Sequence, residues 1–181
     1  QDRSSAASDV YKRQLLDTVT SLGGVPLYID EWKVDLAYSC SQKGLSCPPG
    51  LGPFTMGPRA EDKMTSRSGK VPNWYLDVSL LNQYWGSDRV YHHTAPVNMN
   101  FGMREALRLL AEEGLDQAWA RHRSNAERLW SGLESQGLSM HVPEERRLPT
   151  LTTVRIPDGV DGKAFSPVSY THLRAHETSG Y

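Results

Sequence analysis

A loop that carries a single lysine constrains this chain more than any other stretch. Residues 34–38 form a short strand-like run, and Lys43 follows it among small residues in the sequence SCSQKGLSC. The Pro-Pro-Gly sequence at residues 48–50 then forces a turn, because proline fixes φ and glycine accepts unusual backbone angles. Small neighbours leave room for a bulky group beside Lys43. The pattern predicts a strand that delivers one lysine to an open loop.

An acidic residue occupies a similar position earlier in the chain. Residues 15–21 read as a strand with Asp17 near its end, and Gly23-Gly24 predicts a turn after it. Lys43 comes 26 positions after Asp17. A site for pyridoxal 5′-phosphate needs an amine that condenses with the aldehyde and a carboxylate that keeps the pyridine nitrogen protonated. The pair therefore makes this cofactor the first candidate ligand.

Composition excludes several other classes of function. The net charge of −1 gives no basis for binding nucleic acid, and no apolar run reaches the roughly 18 residues of a membrane span. The two cysteines, Cys40 and Cys47, form no CxxC pair and fit a reducing intracellular compartment. His92-His93 are adjacent and point in different directions, so we predict no metal site.

The remaining pattern predicts an α/β fold. Strands are expected early and late in the chain, at residues 15–21, 34–38, 51–56, 138–142 and 150–156. Helices are expected between them. Residues 59–66 are interpreted as a charged helical surface piece, and apolar residues recur at helical spacing in residues 76–85, 99–113 and 115–136. Short strands with glycine- and proline-rich loops thus come first, two long helices follow, and an α+β region closes the chain.

Both ends of the sequence look foreign to this pattern. Residues 1–14 and 166–181 are polar and lack periodicity, and both resemble translated adapter DNA. We interpret them as artefactual or disordered ends; two ordinary disordered tails are the alternative. His172 and His176 belong to the second end and are therefore not interpreted as metal ligands.

Three stretches together resemble one family. They are DTVTSLGGVP at residues 17–26, YSCSQKGLSCPPG at 38–50 and YHHTAPV at 91–97, supported by WYLD at 74–77 and LPTLTTV at 148–154. Their sequences and order are similar to the alanine–glyoxylate (serine–pyruvate) aminotransferases, class V enzymes of fold type I. The resemblance implies that residues 15–114 are part of a cofactor-binding large domain and that residues 115–165 begin a small C-terminal domain.

The resemblance also implies roles for individual residues. Lys43 would form the Schiff base with pyridoxal 5′-phosphate and move the substrate proton. Asp17 would pair with the ring nitrogen, and Val19 would pack on the ring face. Gln42 would help to hold the phosphate. Tyr91 and Thr94 would reach the phosphate in the neighbouring subunit, which implies a homodimer.

The implied reaction moves an amino group from alanine or serine to glyoxylate or pyruvate, which detoxifies glyoxylate in the peroxisome or the mitochondrion. Cys40 stands where the family has glycine, and the family's upstream phosphate loop and downstream arginine are missing. We therefore expect this fragment alone to be inactive. Two alternatives remain. One is a sister class V enzyme such as a cysteine desulfurase, although Gln42 precedes the lysine where that enzyme has histidine. The other is a non-functional truncated gene product.

Overall fold

The computed structural model describes residues 12–162. The terminal stretches interpreted as foreign, including His172 and His176, lie outside this range except for residues 12–14. The chain divides into two compact units, one ending at His122 and the other beginning at Arg123. The domain boundary expected after residue 114 stays a prediction. Among the residues described, no helix is both long enough and apolar enough to cross a bilayer.

A small mixed sheet organises the first unit. It contains β1 (Leu15–Asp17), β2 (Leu36–Tyr38) and β3 (Phe54–Met56), with β2 in the centre. β1 and β2 run parallel with Asp17 opposite Tyr38, whereas β2 and β3 run antiparallel. The expected strand over residues 15–21 is wrong beyond Asp17, because residues 19–24 form consecutive turns.

Asp35 anchors this sheet just before β2. Its side chain is 1% exposed and accepts two hydrogen bonds from the Arg59 guanidinium, both at 2.8 Å. It also accepts the Gln14 backbone N–H at 2.8 Å. The Gln14 amide, with help from Arg59, lowers the pKa of Asp35 although burial opposes this shift. Gln14, which the sequence analysis placed in the foreign end, also accepts the Leu36 amide through its carbonyl at 3.0 Å.

Four α-helices lie close to the expected ranges: α1 (Pro58–Thr65), α2 (Val78–Trp85), α3 (Val97–Glu113) and α4 (Leu115–Ser135). Proline stands at the start of α1, where a missing N–H costs no helical bond. Asp77 caps α2 by accepting the Ser79 amide at 3.0 Å. Gly114 has φ of 86°, which ends α3 before α4 begins.

The two strands expected in the second unit are wrong. Residues 138–142 and 150–156 meet only in one antiparallel bridge, between Met140 and Val154. The segment between them contains a 3₁₀-helix, Glu144–Arg146, flanked by Pro143 and Pro149. Prolines cannot donate to a strand ladder, so the pairing stops after one bridge.

Candidate active site

Asp17 lies at the carboxyl end of β1, and each of its carboxylate oxygens accepts a hydrogen bond. Oδ1 accepts the Val19 amide at 2.8 Å, and Oδ2 accepts the Tyr38 hydroxyl at 2.7 Å. The Val19 amide, followed by the Tyr38 hydroxyl, lowers the pKa of Asp17. The same bond raises the pKa of Tyr38, because the phenol must give up its contact with the carboxylate to lose its proton. Asp17 is therefore ionised at neutral pH.

The turn after Asp17 is fastened to the end of β2. The Tyr38 carbonyl accepts two bonds from Thr18, from its amide at 2.9 Å and its hydroxyl at 2.7 Å. The Ser39 hydroxyl donates back to the Thr18 carbonyl at 3.0 Å. Thr18 and Ser39 are both buried, so these bonds are shielded from water. The Val19 carbonyl then lies 3.9 Å from Cys40 Sγ, which places Val19 beside the lysine loop.

Ser41 closes the lysine loop from inside. Its hydroxyl is fully buried; it donates to the Pro48 carbonyl at 2.6 Å and accepts the Leu51 amide at 3.3 Å. Its carbonyl accepts the Cys47 amide at 3.0 Å. Lys43 and its neighbour Gln42 are exposed at the outer side of this closed loop. The loop thus presents the lysine while its own polar groups bond internally.

Two glycines bring the Asp17 turn and the lysine loop into backbone contact. A Cβ atom added at Gly44 would stand 2.3 Å from the Leu22 carbonyl oxygen. One added at Gly23, where φ is +84°, would stand 2.9 Å from the Gly44 carbonyl oxygen. Only glycine permits this approach. The segment that carries Asp17 and Val19 and the loop that carries Gln42 and Lys43 are therefore held side by side.

Tyr91 and Thr94 occupy a different loop, between α2 and α3. Their hydroxyls are 3.1 Å apart, and the Tyr91 and Tyr84 rings pack in a T-shaped arrangement with their centroids 6.0 Å apart. Buried His92 anchors the loop. Its ring stacks on the Trp74 ring with centroids 4.0 Å apart, and its Nε2 is hydrogen-bonded to the Trp74 carbonyl at 3.1 Å. The structure thus pairs Tyr91 with Thr94, and the contacts it shows for Tyr91 are with Thr94 and Tyr84, not with the Asp17 turn.

His92 and His93 contact each other through their Nδ1 atoms at 2.8 Å. Between residues 12 and 162, no group of three histidine, cysteine or acidic side chains is placed to hold a metal ion.

The model of the family "Aminotransferase class-V" matches residues 8–168. The chain belongs to the class V aminotransferases. Among curated relatives, the alanine–glyoxylate aminotransferase of Callithrix jacchus is 45% identical over 81% of this chain and 36% of its own length. The Drosophila melanogaster enzyme is 44% identical over 82% of this chain and 39% of its own length. This class V chain therefore spans well under half the length of these relatives.

Solved structures support the same fold. The alanine–glyoxylate aminotransferase of Nostoc sp. superposes with a TM-score of 0.87 and 60% identity, covering 92% of this chain and 44% of that one. The ureidoglycine–glyoxylate aminotransferase of Bacillus subtilis gives 0.81 at 34% identity, covering 88% of this chain and 41% of that one. The expected fold, an α/β part of a fold-type I transferase, is confirmed, as is the family resemblance.

Sequence reasoning gave no role to Tyr38, which bonds the Asp17 carboxylate, or to Ser41, which closes the lysine loop. The signal for Tyr38 was its position: it ends the strand before the lysine, as Asp17 ends the earlier strand. Parallel neighbours that end together place their last side chains close to each other. The signal for Ser41 is weaker, because a serine in a loop of small residues has many possible partners.

Proposed function

We propose that this chain is the lysine-bearing part of a pyridoxal phosphate-dependent aminotransferase. The observation that carries the proposal is the backbone contact between Gly44 and the turn after Asp17, which joins an ionised carboxylate to the lysine loop. The proposed reaction transfers an amino group from alanine or serine to glyoxylate or pyruvate.

The described residues fit this cofactor. Asp17 keeps its negative charge, and each of its oxygens retains a lone pair for a protonated ring nitrogen. Val19 is half-buried beside the loop, and its β-branched side chain offers a stiff apolar surface for a ring. Gln42 is exposed next to Lys43, where its amide N–H groups can donate to a phosphate.

Each residue then has a definite task. When bound, the cofactor would supply an electron sink for the bond that breaks at the substrate Cα. Lys43 would hold the cofactor aldehyde covalently and, once released, take the Cα proton as general base and return it as general acid. Tyr91 and Thr94 would supply hydroxyl groups to the phosphate in the partner subunit of a homodimer.

The relatives support the substrate class more firmly than the donor. Glyoxylate appears in the names of the Callithrix jacchus enzyme and of the (S)-ureidoglycine–glyoxylate transaminase of Bacillus subtilis, which is 34% identical. A pyridoxamine–pyruvate aminotransferase of Mesorhizobium loti superposes with a TM-score of 0.79 at 30% identity. Each of these names contains a small 2-oxo acid, so we propose glyoxylate or pyruvate as the acceptor here. The proposed biological role is glyoxylate detoxification in a peroxisome or mitochondrion.

Covalent trapping on the 181-residue chain tests the lysine assignment. Borohydride reduces a lysine-bound pyridoxal group to a stable amine, which peptide mass spectrometry locates. We expect pyridoxal phosphate to label Lys43 and the label to disappear in Lys43→Ala. The matched control is Lys63→Ala, which removes another exposed lysine, on α1, and should leave the Lys43 label intact. A label spread evenly over the lysines would contradict the assignment.

The chain spans 44% of the Nostoc sp. structure, so an activity test has to supply the rest of the sequence of that enzyme. We expect the 181-residue chain alone not to transaminate. A hybrid in which residues 12–162 replace the equivalent segment of the Nostoc sp. protein should transaminate alanine or serine with glyoxylate. Lys43→Ala in the hybrid should lower kcat by about a thousand-fold, because the proton transfer loses its base. A folded hybrid that is equally active with and without Lys43 would disprove the proposed role.

A further inference from the structure

The contact between Asp17 and Tyr38 joins the last residues of two paired strands, β1 and β2. Asp17 and Tyr38 stand opposite each other in the parallel register, and the Tyr38 hydroxyl reaches Asp17 Oδ2 at 2.7 Å. The Tyr38 carbonyl meanwhile accepts two bonds from Thr18. One tyrosine therefore holds two successive residues, Asp17 by its side chain and Thr18 by its backbone.

We propose that Tyr38 is a positioning residue that fixes the orientation of the Asp17 carboxylate for the cofactor ring nitrogen. This inference rests on the proposed function. A terminal carboxylate torsion is broad, so a single bond from the Val19 amide leaves Asp17 free to pivot about Oδ1. A second donor on Oδ2, from a different strand, stops that rotation.

The arrangement leaves the carboxylate competent to bind. Each carboxylate oxygen accepts more than one hydrogen bond, so the Val19 and Tyr38 donors occupy one position on each oxygen and leave the others available. A hydrogen bond to a charged group is also stronger than one between neutral groups, so the hydroxyl favours the ionised carboxylate that a protonated ring nitrogen requires. Phenylalanine would keep the ring of residue 38 and lose both effects.

The first experiment needs no cofactor. In the 181-residue chain, carboxyl-carbon NMR follows the titration of Asp17, with its signal identified by its absence in Asp17→Asn. Tyr38→Phe should raise the Asp17 midpoint, whereas the control Tyr28→Phe, which removes a hydroxyl from an exposed tyrosine in the same unit, should not. An unchanged midpoint in Tyr38→Phe would overturn the inference.

A reciprocal measurement guards against misfolding of the tyrosine variant. Asp17→Asn keeps Tyr38 in place and removes the charge that stabilises its proton. Ultraviolet titration should then show the phenol of Tyr38 ionising at a lower pH than in the wild-type chain. If its ionisation does not move, the hydrogen bond does not form in solution and the inference fails.

The second readout is the affinity for pyridoxal phosphate, measured by tryptophan fluorescence. Tyr38→Phe should weaken binding by about ten-fold, whereas Tyr28→Phe should bind as the wild type does. If the wild type binds and Tyr38→Phe binds equally well, the positioning role is wrong and the proposed function stands. If wild-type Lys43 is never labelled, the proposed function fails and the positioning role fails with it, whatever the Asp17 midpoints show.

Discussion

Gly44→Ala is expected to destabilise the first unit by about 3 kcal/mol. The added Cβ would stand 2.3 Å from the Leu22 carbonyl oxygen and 3.3 Å from the Gly24 nitrogen. Both neighbours are backbone atoms, so no side chain can rotate away and the two loops must separate. Urea unfolding followed by circular dichroism measures the loss.

Gly132→Ala is the matched control for this substitution. Gly132 lies within α4, and a Cβ there would meet nothing within 4 Å. Alanine should therefore stabilise the helix by about 0.8–1 kcal/mol, the opposite sign. If Gly44→Ala unfolds at the wild-type urea concentration, the two loops do not touch in solution. Pyridoxal labelling of Lys43 should fall in Gly44→Ala for the same reason.

Arg59→Ala is expected to cost about 2–3 kcal/mol, because the buried Asp35 carboxylate keeps the Gln14 amide but loses both guanidinium hydrogen bonds. Asp35 is 1% exposed, whereas Arg59 is 49% exposed, so the penalty arises mainly at the carboxylate. The control is Arg108→Ala, which breaks pairs with Glu105 and Glu112 on the surface of α3 and should change stability far less. Equal losses in the two variants would contradict this account.

The same ion pair makes the free energy of unfolding depend on pH, and the direction of that dependence follows from the pKa of Asp35. Folding lowers the pKa of Asp35 from its ordinary value of about 3.9, so the folded state binds this proton less readily than the unfolded state. Its contribution is complete above that value and is lost as pH falls through the lower, folded pKa. Stability should therefore decline more steeply below about pH 4 in the wild type than in Asp35→Asn, with Asp30→Asn as an exposed control.

Periodicity was sufficient to predict the long helices. α3 and α4 match the expected ranges within two residues, because each shows a sustained apolar stripe and a glycine separates them. The strands were harder to predict. Residues 150–156 are rich in β-branched side chains, as a strand would be, yet they form one bridge only. A strand requires a partner along its length, and prolines in the preceding loop limit that pairing.

The family could be recognised from the sequence because its motifs are local, and those motifs predict the roles of Asp17 and Lys43. The contacts that join them could not be recognised. The Leu22 carbonyl, 22 positions earlier, leaves no room for a side chain at Gly44, and no pattern within either loop reveals that approach. Tyr38 meets Asp17 only when β1 and β2 pair in parallel with the observed register. Such information appears only when the chain is folded.

The internally bonded loop around Ser41 determines which part of the site can move. Because that hydroxyl fastens the Pro48 carbonyl and the Leu51 amide together, the Cα of Lys43 has little freedom to drift. Any travel of its amine must then come from rotation about the four methylene groups of the side chain. Such rotations take picoseconds to nanoseconds in an exposed side chain, so the loop backbone need not rearrange when the amine changes position.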